Sequence, residues 1–122
     1  MNKQFSYEFF VMIGCDKSTN PPVHIINIGS TNDFKYIHNL YTELYPNFLI
    51  EKYAFKAKMC ENDRDIKFHE EALRQICLKH RMLNYNITHD NQSSQNWFRL
   101  NKGKLSNAMV LSELYNYIFK TQ

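Results

Sequence analysis

The sequence predicts an α+β domain: a small antiparallel sheet of about three strands with helices packed on it, in the order β-β-α-β-α-(β)-α. Three observations carry this. Two runs rich in β-branched and aromatic residues, "YEFFVMIG" and "VHIINI", flank a loop closed by two prolines. The apolar period then changes to that of a helix just after Gly29. Finally, Leu49–Met59 alternates Tyr53, Phe55, Ala57 and Met59 with Lys52, Lys56 and Lys58, which predicts a strand with one wet face.

Taken in order, Tyr7–Gly14 reads as a buried strand and Val23–Ile28 as its hairpin partner across the loop Cys15–Pro22. Gly29 reads as the residue of a tight strand-to-helix turn. Phe34, Ile37, Tyr41 and Leu44 recur at helical spacing, with Asn32 or Thr31 as cap and Pro46 beyond the end. After the lysine-bearing strand, Asn62 or Asp63 caps a second helix running to about Arg81. Asn84–Gln95 is a polar loop, "NWFRLN" a brief strand or turn, and Leu105–Phe119 a last helix, apolar at Val110, Leu114, Tyr117 and Ile118. Trp97 and Phe98 are expected to anchor the polar loop to the core. At 122 residues, with no composition break, the chain reads as one domain over 1–122.

Composition narrows the function classes. Charged residues make up 22% and apolar residues 43%, an ordinary globular balance. No apolar run is long enough for a membrane span, and Glu8 interrupts the apolar part of the N-terminus, so no membrane partner and no signal peptide are expected. Three widely spaced cysteines (Cys15, Cys60, Cys77) point away from a disulfide framework or zinc site and towards a reducing, intracellular compartment, cytoplasmic or nuclear. A net charge of +3 permits nucleic-acid binding without requiring it.

The sharpest chemical feature is on the second helix. Ile66, Glu70, Leu73 and Cys77 form one stripe, so Glu70 lies along the apolar face while Glu71 points away. A carboxylate there needs a cation, a donor network or a metal, and Arg74 or Lys67 would be the plain structural partner. His69 and His80 flank the stripe and read as packing or capping residues.

Together, "FFVMIG", "INIGSTND", "HEEALRQICLKHR", Arg81, "NWFRL" and the closing helix resemble the GIY-YIG nuclease superfamily, in its phage and large-DNA-virus branch, over residues 7 to 118. The resemblance implies a metal-dependent DNA endonuclease, with Glu70 holding Mg²⁺ or Mn²⁺, His38 or Lys35 at the phosphate, and Asn27 near the attacking water. The departures are large. Phe10 stands at the best match to the family's first tyrosine, Asn27 replaces the second, and Ile37 and His38 fall where its arginine belongs. Asn96 and Asn101 both lie near its late polar position. Phe10 can do none of a tyrosine's proton chemistry, so lost or weakened cleavage is expected, leaving a degenerate member that binds nucleic acid or a protein. The expected basic face comprises Lys35, Lys52, Lys56, Lys58, Arg99, and Lys102 or Lys104. The alternatives are an active endonuclease with a remodelled site, and an unrelated small α+β protein-interaction module.

Overall fold

The computed structural model describes residues 4–87, 95–100 and 104–120. Strands β1 (Phe5–Asp16) and β2 (Val23–Thr31) are followed by α1 (Phe34–Leu44), β3 (Phe48–Cys60), α2 (Asp63–Lys79), β4 (Leu83–Asn84), β5 (Trp97–Arg99) and α3 (Lys104–Phe119). The strands make one sheet in the order β3-β1-β2-β5-β4, every pair antiparallel. The expected hairpin is present, with Phe9 opposite Ser30 and Asp16 opposite Val23. Among the described residues no helix is long and apolar enough to cross a membrane.

The sheet has five strands instead of about three. The extra pair, β4 and β5, has two and three residues, too few for any period to show. Trp97 and Phe98 make β5 a strand because adjacent residues point to opposite faces, and both faces are covered. Trp97 joins a core of Phe10, Met12, Ile25, Phe34 and Phe48 on the α1 side. Phe98 joins Phe9, Val11, Ile26, Ile28, Leu73 and Leu114 on the α2/α3 side. This two-sided burial also explains why β1 reads as an unbroken apolar run. The anchoring role expected of Trp97 and Phe98 is therefore met: they are 2% and 0% exposed.

Gly29 is not a turn residue. β2 runs through it to Thr31, three residues beyond the expected end at Ile28, and no described glycine has a positive φ. Gly29 lies opposite Phe10, and a Cβ there would stand 2.9 Å from the ring's Cζ. The missing side chain gives space to an aromatic ring across the strand pair.

The α1 cap is Asp33, not Thr31 or Asn32; its carboxylate accepts from the Tyr36 amide at 3.2 Å. Glu8 of β1 adds a second acceptor, taking the Phe34 amide at 2.7 Å. Asn62 caps α2 as expected. That helix ends at Lys79, two residues early, and Arg81 takes a left-handed φ of 60° that turns the chain away.

β3 lies at one edge of the sheet and, among the described residues, pairs only with β1. Lys52, Lys56 and Lys58 sit opposite Ile13, Phe9 and Tyr7, so they share the α2/α3 side; Tyr53 and Phe55 sit opposite Met12 and Phe10 on the α1 side. The expected wet face needs correction at its far end. Lys58 is only 7% exposed: α3 closes over it, and its ammonium donates to the Lys120 carbonyl at 3.3 Å and lies 5.4 Å from the Tyr117 ring centre. Met59, expected to face inward, is instead 52% exposed.

Candidate functional site

The stripe on α2 is real, and it carries Glu70 where expected. Leu73 and Cys77 are buried while Ile66 and Glu70 are half-buried. The partner of Glu70 is neither Arg74 nor Lys67 but Ser30, whose hydroxyl donates to Oε2 at 2.5 Å. Arg74 turns to Glu71, and its third guanidinium nitrogen donates to the Asn96 side-chain oxygen at 3.0 Å. The sheet explains this arrangement. Among the described residues β5 pairs with β2 at Ile25–Asn27, and beyond that pairing Ser30, opposite Phe9, faces the side on which α2 packs.

Asn27 is 1% exposed and donates from Nδ2 to the Asn96 carbonyl at 3.1 Å. It sits opposite Met12 and so faces the α1 side, whereas Ser30, opposite Phe9, faces α2. Asn27 and Ser30, the partner of Glu70, thus face opposite sides of one strand. His38 is elsewhere again. It lines a hollow of about 300 Å³ with Phe34, Lys35, Asn39, Tyr53 and Phe55, none of which is Glu70 or Asn27. Its ring lies 4.9 Å from that of Tyr53. Phe10 is buried at 2%, tilted against Phe34 at 5.3 Å.

The three residues expected to do phosphodiester chemistry are therefore not brought into one concavity. The donor set suits a divalent cation poorly. Among the described residues no group of three or more His, Cys, Asp or Glu could hold a metal, and Glu70 already has one oxygen committed to a hydroxyl. No catalytic step through Mg²⁺ or Mn²⁺ follows from these residues.

The flanking histidines behave as packing residues. His80 caps α2 and bonds Glu113 at 2.9 Å. His69 Nδ1 contacts the Tyr117 hydroxyl at 2.6 Å, and its ring packs on Phe9 at 5.1 Å. Burial, and then the nearby Lys58, hold the His69 pKa below 6.5. The neutral ring is thus the folded form, and the unfolded chain binds the extra proton first. Stability should be complete above pH 6.5 and decline as the pH falls from there through the folded pKa. Urea midpoints from pH 7.5 downwards check this: His69→Gln, which keeps a polar contact to Tyr117, should flatten the decline in the histidine range.

Of the residues expected to meet nucleic acid, Lys35 and Lys56 are exposed, as are Lys52 and Arg99. Burial, and then Lys56, lowers the pKa of Lys58, whose ammonium turns inward to the Lys120 carbonyl. Lys102 and Asn101 lie outside the described residues, and so does the side chain of Lys104. Sequence reading missed Ser30 and the exposure of Tyr53, and gave Arg74 the wrong partner. Carrying β2 through Gly29 would have put Ser30 on the face of Ile28, towards α2, and so exposed the Glu70 contact. Comparison with protein-family models, curated sequences and solved structures finds no match for this chain.

Proposed function

We propose that the chain is a degenerate GIY-YIG-like domain that binds nucleic acid and has lost the nuclease's phosphodiester chemistry. The observation that carries the binding is the set of exposed lysines about the edge strand. Glu8, Asp16, Asp33, Asp65, Glu70, Glu71 and Glu113 all accept hydrogen bonds from the chain itself. Lys35, Lys52 and Lys56 are exposed and, among the described residues, form no ion pair. The last two lie on one side of the edge strand β3, whose other side carries the hollow beside Lys35. Exposed cations placed in this way attract a polyanion. The resemblance itself is supported by the element order and by the antiparallel first hairpin, on which it depended. Loss of cleavage is supported by Phe10 buried in the core and by Glu70 bonded to a hydroxyl away from His38. The three cysteines are buried and unpaired, which supports a reducing compartment.

The test is fluorescence anisotropy with labelled DNA and RNA over a salt series, beside cleavage of supercoiled plasmid and single strands with Mg²⁺ or Mn²⁺. Binding should weaken steeply with salt. Replacing Lys35, Lys52 and Lys56 by Ala together should lower the slope of log affinity against log salt by about 2 to 3, alike for all sequences. No cleavage is expected with either metal. Binding that ignores salt, or none at low salt, would favour a protein partner. Metal-dependent cleavage abolished in Glu70→Gln would restore the endonuclease reading.

A further inference from the structure

We infer that the hollow between α1 and β3 takes an unpaired nucleobase, stacked on Tyr53, with its phosphate on Lys35. The inference rests on the nucleic-acid reading above and says what that ligand must look like. Three rings lie near parallel at the site. Phe34 and Phe55 stack at 4.4 Å and 16°, and Tyr53 lies 5.2 Å from Phe34 at 32° and 6.5 Å from Phe55 at 20°. Phe34 is 1% exposed while Tyr53 is 52% exposed, so the series begins in the core and ends with an uncovered ring. A lone exposed tyrosine is ordinary. One held against the buried Phe34 and the half-buried Phe55 is a rigid platform, with little entropy left to lose on stacking.

The rest of the lining suits a nucleotide. The Lys35 ammonium supplies a cation, the Asn39 amide offers both donor and acceptor to a base edge, and the His38 ring closes one side beside Tyr53. About 300 Å³ is at the small end of ligand pockets, enough for a single base and not for a duplex. A paired base shows its edges and hides its face, so only an unpaired one can lay its face on the ring. β3 alternation then places Lys52 and Lys56 across the strand from Tyr53, where the backbone of a single strand crossing the edge would find further cations.

The experiment compares short oligo-dT, short oligo-U and a DNA duplex of equal length by anisotropy, using wild type, Tyr53→Ala, Tyr53→Phe and Lys56→Ala. Wild type should prefer the single strands, and the two oligonucleotides distinguish DNA from RNA as the source of the base. Tyr53→Ala should weaken single-strand binding roughly 5- to 100-fold and duplex binding by less than about 2-fold. Tyr53→Phe keeps the π-face and should bind like wild type, while Lys56→Ala should weaken all ligands alike. Thermal melts of each variant establish that it is folded. Salt-dependent binding that is unchanged in Tyr53→Ala would overturn the stacking site and leave the nucleic-acid reading intact. Absence of binding to every oligonucleotide at low salt would overturn both.

Discussion

Gly14→Ala is expected to destabilise the protein by more than about 3 kcal/mol, at the severe end for a single methyl. Gly14 lies in β1, the strand that joins β2 to β3. A Cβ there would stand 1.9 Å from the Leu49 carbonyl oxygen, 2.8 Å from its carbon and 2.9 Å from the Phe48 ring. The cause is a register shift. Ile13 pairs with Lys52 but Gly14 pairs with Ile50, leaving Glu51 as an extra residue that pushes its neighbours towards β1. Backbone cannot swing aside as a side chain does, so the methyl must break the β1–β3 pairing locally. Gly29→Ala is the control. Its Cβ would meet only the Phe10 ring at 2.9 Å, which can shift, so a cost of about 1–2 kcal/mol is expected. Urea denaturation followed by circular dichroism gives both values. A Gly14→Ala variant within about 1 kcal/mol of wild type would mean that the Leu49 backbone can move aside at the bulge.

The same bulge shows why some of the molecule was legible in the sequence and some was not. Long elements declare themselves because burial repeats over many residues: the first hairpin, α1, β3, α2 and α3 all follow from period and caps. Short pairings declare little. "NWFRLN" reads as a brief strand or turn and contains β5, but β4 gives no signal. The strand reading of β5 is settled only once Trp97 and Phe98 have a covered layer on each side. Gly29 misled because a glycine before Ser-Thr-Asn-Asp has the composition of a turn, while its actual reason, the Phe10 ring, is distant in sequence. The site suffered likewise. The stripe correctly placed Glu70 on the inner flank of α2, but its partner Ser30 is 40 residues away, and no helical spacing identifies it. Lys58 was misjudged because alternation assigns a face, not its depth, and the end of α3 covers that face at one lysine in three. Tyr53 was taken for core because its neighbours are. Only the packing of Phe34 and Phe55 shows that the series of rings ends in the open.

Trp97→Ala is expected to cost about 3–5 kcal/mol, a large share of a total stability of roughly 5–15 kcal/mol. The indole is 2% exposed and joins three elements through rings: Tyr41 stacked at 5.8 Å, and Tyr45 and Phe48 edge-on at 5.1 and 5.0 Å. Tyr41 lies on α1, Phe48 opens β3, and the indole itself rises from β5, which has only three residues paired to β2. Removing it opens a void on the α1 side of this short strand, so α1 and β5 should loosen together. Trp97→Phe keeps an aromatic body and should recover more than half of the loss. Wild-type unfolding can be followed by the fluorescence of this single tryptophan; the variants need circular dichroism. A second readout is local. Burial, and then Tyr45, push the Tyr41 phenol up to about 12, and Trp97→Ala should bring it down towards 10, visible as earlier tyrosinate absorbance on alkaline titration. Tyr41→Phe assigns that step. A Trp97→Ala protein as stable as wild type, with Tyr41 still titrating near 12, would show that the α1-side core is held by Phe34 and Phe48 without the indole.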